Sequence, residues 1–134
     1  MLNRRESREA VFCMVYELDF NKECDIDTLF ENAIEERSIE NNGYIKETFY
    51  GVAGKLGEID EMIKNKSEGW NIDRISKVSM AAMRLCTYEI MYTDIPYNIA
   101  INEALEIVKK FDDVKAKGFV NGILNSVAQE LGKK

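Results

Sequence analysis

Apolar positions recur along this chain in steps of three and four, the period of a helix that buries one face. Val11, Met14, Val15 and Leu18 set the pattern in a first predicted helix of about Asn3 to Phe20. Leu29, Phe30, Ala33 and Ile34 repeat it in a second, about Asp27 to Glu36. Asn41-Asn42-Gly43 is a break signal. A third helix, about Tyr44 to Lys55, carries Ile45, Phe49 and Val52, with Leu56 next in phase. The spacing of Gly51, Gly54 and Gly57 puts them near one face, where they permit close helix contact; Gly57 also marks a bend. Helix resumes over about Glu58 to Asn65, with Ile59, Met62 and Ile63 inward, and Trp70-Asn71-Ile72 forms a connector.

The segment from about Ser76 to Tyr92 is the most apolar, with Val78, Ala81, Ala82, Leu85, Tyr88 and Met91 spread around a wide face. That width predicts a central position. Asp94-Ile95-Pro96 ends it, since a residue before proline avoids the helical region. Two more helices are predicted, about Tyr97 to Lys110 and Ala116 to Leu131, with a turn or cap at Asp112-Asp113. Strand-like alternation is nearly absent. The class is all-α, a single domain over residues 1–134 with six or seven helices.

Composition narrows the chemistry. The 134 residues contain no histidine, which removes Ser-His-Asp and Cys-His catalysis and the usual zinc sites. Cys13, Cys24 and Cys86 form no CxxC pair and read as reduced thiols. No apolar run approaches a membrane span and the N-terminus has no secretory pattern, so a cytoplasmic protein is expected. Asp112-Asp113 and Glu35-Glu36 are adjacent pairs that do not share a helix face. No phosphate-binding glycine loop appears, and neither catalysis, a metal nor a cofactor is expected.

The net charge of −6 is unevenly placed. Residues 17–40 hold nine acids against two bases, a net −7, so the remainder sums to +1. Bases gather at Arg4, Arg5 and Arg8 and again at Lys109, Lys110, Lys115 and Lys117. Local potential, not whole-chain charge, governs polyanion binding.

Two constellations suit single-stranded RNA. Arg4, Arg8, Phe12 and Tyr16 step by four residues and form one slanting stripe, with Arg5 beside it. Guanidinium groups fork onto phosphates and aromatic rings stack unpaired bases. Phe12 reads first as core, and Tyr16 fits either role. The second group is Lys115 and Lys117 with Phe119 and Asn121: phosphate contacts, a stacking face and an amide edge for a base. A solvated lysine-rich turn with Phe119 in the core is the plainer alternative. Arg84, within the most apolar helix, needs a partner; Glu89 or Glu103 would serve, or a phosphate. Asn102-Glu103 reads as interhelical hydrogen bonding.

The order of motifs resembles the NusB family. Arg4-Arg5-Glu6-Ser7-Arg8-Glu9-Ala10 with Tyr16 matches its Arg-rich opening. Gly51-Val52, Glu58-Ile59-Asp60, Trp70 and Arg74 follow in order. Met83-Arg84-Leu85 through Tyr88-Glu89-Ile90 matches "LR-x-x-x-YE", and Pro96 with Ala100-Ile101-Asn102-Glu103-Ala104 matches "P-x-x-x-A-I-N-E-A". Phe119-Val120-Asn121-Gly122 with Leu124 matches "F-V-N-G-x-L".

The resemblance implies two packed helical bundles and binding of boxA RNA together with ribosomal protein NusE. It implies a role in the RNA polymerase antitermination complex on ribosomal RNA operons, without catalysis, as a monomer or homodimer. Carried over by position, RNA contact falls on Arg4, Arg5, Arg8, Tyr16, Arg84, Lys117, Phe119 and Asn121. Lys115, standing where relatives often have an acid, is expected to add a phosphate contact. NusE contact falls around Tyr16 and the start of the Ser76 helix, including Ser79, where some relatives carry an acid. The competing readings are a substrate-docking module related to RNA cytosine methyltransferases, set second because the chain ends at Lys134 without a domain for a methyl donor, and a helical protein-binding scaffold.

Overall fold

Short polar residues start four of the helices of the computed structural model, which describes residues 2–37, 42–71 and 74–133. Asn3 caps α1 (Arg4–Phe20): its side chain accepts from Glu6 N–H while the Glu6 carboxylate accepts from Asn3 N–H. Asp25 caps α2 (Ile26–Glu36) through Thr28 N–H, and Asn42 caps α3 (Gly43–Gly54) through Ile45 N–H. Ser76 caps α5 (Lys77–Tyr92) through Ser79 N–H. Between them lies α4 (Leu56–Lys66), and α6 (Tyr97–Phe111) and α7 (Ala116–Glu130) complete the chain. Among the described residues there are seven helices and no strand. Asn41 of the expected break and Ile72 of the connector lie outside them.

The predicted central helix is central. Every residue of α5 from Ser79 to Ile90 is buried, because α1 and α3 pack on one side and α4, α6 and α7 on the other. The two groups share α5, giving a bundle of α1, α2, α3 and α5 joined to one of α4, α5, α6 and α7. Ala81 and Ala82 keep the helix slim enough to be enclosed, while Met83, Leu85 and Ile90 fill the space between its neighbours. In the first bundle Phe30 stacks on Phe49 at 5.9 Å and meets Tyr50 at 5.2 Å.

The glycines behave differently from expectation. Only Gly51 makes a close approach: a Cβ there would overlap the Tyr88 ring, whereas Gly54 and Gly57 face open space. The break falls at Lys55, not Gly57. Lys55 leaves helical geometry while its N–H closes onto Gly51 and Val52, and its carbonyl then accepts from Ile59 N–H to launch α4. Gly57 simply sits in the first turn of α4. Met62 and Ile34, expected inward, are half-buried at the margins of their faces.

Gly51→Ala is therefore expected to destabilise the fold by about 1–3 kcal/mol through overpacking against a buried ring. Gly57→Ala is expected to stabilise it by up to about 1 kcal/mol through helix propensity. Urea denaturation of both variants checks the pair, and equal effects would contradict the placement of Tyr88.

Candidate nucleic-acid interface

The capping box that starts α1 sets Arg4, Arg5 and Arg8 at its amino end, but the three lead different lives. Arg4 is exposed, with its guanidinium 4.3 Å from the Tyr44 ring centroid. Arg5 reaches across to α6 and forks onto Glu103, Nε to Oε1 at 3.1 Å and Nη2 to Oε2 at 2.7 Å, while 65% of its side chain stays in solvent. Arg8 is buried. It donates to Glu89 at 3.0 and 3.1 Å and to Glu103 at 3.4 Å. Tyr44 Oη donates to the same Glu89 carboxylate at 3.0 Å, and burial followed by that negative charge pushes the phenol's pKa upward.

This corrects the stripe drawn from the sequence. Phe12 is 3% exposed and rests on Phe111 at 5.3 Å, so both inner members, Arg8 and Phe12, belong to the interior. Only the ends, Arg4 and Tyr16, reach the surface. Arg8 holds two carboxylates and has no face left for RNA. Glu103 makes the interhelical bonds expected of the Asn102-Glu103 pair, whereas Asn102 is exposed.

Arg84 is likewise committed, to partners the sequence did not suggest. Its guanidinium forks onto Asp60 of α4 at 2.8 and 3.0 Å and meets Asp19 of α1 at 3.2 Å. Glu89 lies five residues on, about 140° around the helix, and faces Arg8. Lys77 adds a contact to Asp19 at 2.9 Å. Ser79 also turns inward. It is fully buried, and its hydroxyl donates to Asp112 Oδ2 at 2.6 Å, as the Ser76 hydroxyl does to the same oxygen. These bonds fasten the α6–α7 turn to the start of α5, and they leave Ser79 no surface for a partner.

The open positive charge is at the head of α7. Lys115 is exposed and Lys117 half-buried; neither is paired with an acid among the described residues. Lys115 itself makes no side-chain cap at the start of α7, but the Asp113 carboxylate accepts from Lys115 N–H at 3.0 Å, so an acid stands at that helix end together with the two lysines. By contrast Lys110 of α6 is held by Glu9 at 2.9 Å.

Helix geometry separates residues that the sequence places side by side. Phe119 follows Lys115 by four residues and lies on the same flank; Asn121 follows Lys117 by four on the opposite flank. Gly118 and Gly122 face open space between the two flanks, leaving bare backbone there. Phe119 is half-buried and leans on the exposed Trp70 ring at 5.3 Å, tilted by 42°. Asn121 is exposed, with its carbonyl oxygen accepting from Asn125 at 3.0 Å.

Two clefts lie between these regions. One of about 350 Å³ runs between α1 and α6, with Arg5, Glu103, Lys109 and Lys110 in its walls. A second, apolar and about 250 Å³, is lined by Phe12, Cys13, Tyr16, Val78 and Phe111 with Arg37 at its edge. It joins Tyr16 to the start of α5, the region expected to meet a protein partner. Sequence reasoning missed Tyr44 as the group that braces the arginines and passed over Trp70; a lone tryptophan in a polar connector was the available signal.

Fold and surface together define a small all-α protein whose unpaired cations stand beside aromatic rings, chemistry suited to nucleic acid. The profile of the NusB family matches residues 5–129, and the chain belongs to that family. It is 40% identical to the transcription antitermination protein NusB of Natranaerobius thermophilus, over 98% of this chain and 99% of that one. Its fold is similar to NusB of T. maritima, with a TM-score of 0.82 at 33% identity over 96% of this chain and 92% of that one. It is also similar to a chain from a crystal structure of antitermination factors NusB and NusE in complex with dsRNA: TM-score 0.83, 28% identity, 95% and 96% coverage.

Removing one partner of the Arg8–Glu89 pair strands a buried charge. Arg8→Ala is expected to cost about 3–5 kcal/mol. Loss of RNA binding in that variant should track its unfolding, measured by circular dichroism at several temperatures. Normal stability with selective loss of binding would show that Arg8 meets RNA directly.

Three carboxyls here are held below their ordinary pKa. For Glu103 the leading cause is the Arg5 hydrogen bond. Burial would raise Asp19, but Lys77 and Arg84 outweigh it; burial would raise Asp112, but the Ser76 and Ser79 hydroxyls and the Asp113 N–H outweigh it. The folded state thus binds these protons less readily than the unfolded state. Their stabilisation is complete above about pH 5 and is lost as pH falls through about 4 and below. Urea midpoints should be flat at neutral pH and drop over that acid range; Glu103→Gln should shrink the drop.

Proposed function

We propose that this protein is a transcription antitermination factor that binds boxA-type single-stranded RNA together with ribosomal protein NusE. In this reading it acts in the cytoplasm, within the RNA polymerase antitermination complex on ribosomal RNA operons, and it catalyses no reaction. The whole chain, residues 1–134, works as one RNA-binding domain. Support comes from relatives named as antitermination proteins and from the fold shared with NusB in its complex with NusE and dsRNA. The observation that carries it is Lys115 and Lys117, whose side chains pair with no acid among the described residues, standing beside Phe119 at the start of α7.

Within this reading Arg4, Arg5, Lys115 and Lys117 contact phosphates, Phe119 stacks a base, and Asn121 offers its amide to a base edge. Arg8 and Arg84 act through their neighbours: Arg8 holds Glu103 in place for Arg5, and Arg84 fixes α4 and α1 on α5. Tyr16 and the apolar cleft beside it, reaching Val78, receive NusE. The exposed Phe20 ring, 4.9 Å from Tyr16, extends that surface.

Fluorescence anisotropy of labelled boxA-type RNA against a scrambled control, at two salt concentrations and with or without NusE, tests the proposal. Preference for boxA, sharpened by NusE, is expected. Equal and weak binding of both RNAs with NusE present would overturn it in favour of the protein-binding scaffold. Lys115→Asp should weaken binding and flatten the log–log salt slope by about 0.7, the value of one single-strand phosphate contact. An unchanged slope would remove Lys115 from the interface.

A further inference from the structure

The chain has one tryptophan, and it is 52% exposed. So large a ring is ordinarily mostly buried, and its exposure calls for a reason. Nor does it hang on a loose loop. Trp70 N–H donates to Ser67 carbonyl at 2.8 Å, and the buried Ser67 in turn donates its hydroxyl to Lys64 carbonyl at 2.8 Å. Gly69, at φ 86°, supplies the left-handed step that turns the chain outward just before the ring. The turn is closed again by Arg74 N–H to Asn71 carbonyl at 2.9 Å. The main chain that carries the indole is therefore fixed at Trp70 before any ligand arrives, which lowers the ordering cost of binding.

Phe119 props this ring. With centroids 5.3 Å apart and planes inclined by 42°, the two rings diverge instead of lying flat together, and the indole keeps an open face. Cations near the pair offer a polyanion its phosphate contacts, although the exposed Glu68, two residues before Trp70, and Asp113, which accepts from Lys115 N–H, are acids in the same neighbourhood. Lys115 stands one helical turn before Phe119 on the same flank, Lys117 is on the other flank, and the exposed Arg74 closes the connector that carries Trp70. The bare backbone at Gly118 and Gly122 lies alongside, so a strand can approach without meeting a side chain.

We infer that Trp70, propped by Phe119, is a base-stacking residue for single-stranded RNA, receiving one unpaired base while Lys115 meets an adjoining phosphate. This rests on the RNA-binding reading above and extends it to a residue outside the expected contact set. Stacking requires a flat π-face and not apolar bulk, so aromatic and aliphatic replacements must separate.

The single tryptophan makes the test direct. Full-length protein is titrated with short single-stranded boxA-type RNA while indole emission and RNA anisotropy are followed together. The same is done with a duplex of the same sequence, with NusE, and with Trp70→Tyr, Trp70→Leu and Trp70→Ala. Expected are quenching that saturates with the anisotropy, about tenfold weaker binding for Leu and Ala, and near-normal binding for Tyr, all with unchanged circular dichroism. Normal anisotropy with an unquenched indole and an Ala variant that binds like wild type overturns this inference alone. Leu binding as tightly as Tyr overturns stacking. Emission that responds to NusE but not to RNA assigns the ring to protein and overturns it as well. A wild-type protein that binds no RNA defeats both this inference and the reading beneath it.

Discussion

A carboxylate on the most enclosed helix has to be neutralised from outside that helix, and here the neutralising group is the guanidinium of Arg8. Glu89 is 1% exposed, and its oxygens are satisfied by Arg8 of α1 and Tyr44 of α3. Five residues earlier on α5, Arg84 poses the converse demand and is met by Asp60 of α4 and Asp19 of α1. The two charges lie on different faces of α5, so between them they fix three neighbours at defined heights along it. Apolar packing supplies most of the stability of such a bundle but tolerates sliding; paired charges in a low-dielectric interior do not. The charge pairs are therefore what sets the register of the helices around α5.

The consequence for the surface is that two of the five motif arginines, Arg8 and Arg84, are consumed inside. Arg8 also holds Glu103, which presents Arg5 at the edge of the α1–α6 cleft. Ser76, Ser79 and Asp112 perform a similar service at the other end, tying the turn before α7 to the cap of α5. Because that turn is anchored, Lys115 projects from a fixed point, and the first two turns of α7 are aimed by the interior even though they face solvent.

Much of this architecture was readable from periodicity and caps. Six or seven helices were expected and seven are described, each within a few residues of the expected ends, and the central position of α5 followed from its wide apolar face. What failed had a common cause: local spacing does not reveal which neighbour a polar side chain meets. Arg8 and Arg84 are surface-like residue types in a sequence, and only the packing of α1, α4 and α6 on α5 supplies the carboxylates that bury them. Ser79 misled for the same reason, since its partner is 33 residues away. Gly57 looked like a hinge because propensity is local, yet the break at Lys55 is set by how α3 and α4 each meet α5.

The motifs that make the family recognisable are unequal in what they say about function. In "LR-x-x-x-YE", Met83, Arg84, Tyr88 and Glu89 are all buried, and in "A-I-N-E-A" only Asn102 is exposed. These segments supply part of the core and its charge pairs. "F-V-N-G-x-L" is divided: Val120 and Leu124 point inward while Asn121 and Gly122 face out and Phe119 lies between. Like the Arg-rich opening, where Arg4 and Arg5 are exposed and Ser7 and Arg8 buried, it carries scaffold and surface side by side. In the proposed RNA-binding reading, the contacts therefore come from the outward residues of α7, with Lys115 and Lys117, and from Arg4 and Arg5 at the start of α1, while the buried motif residues form the platform on which they stand.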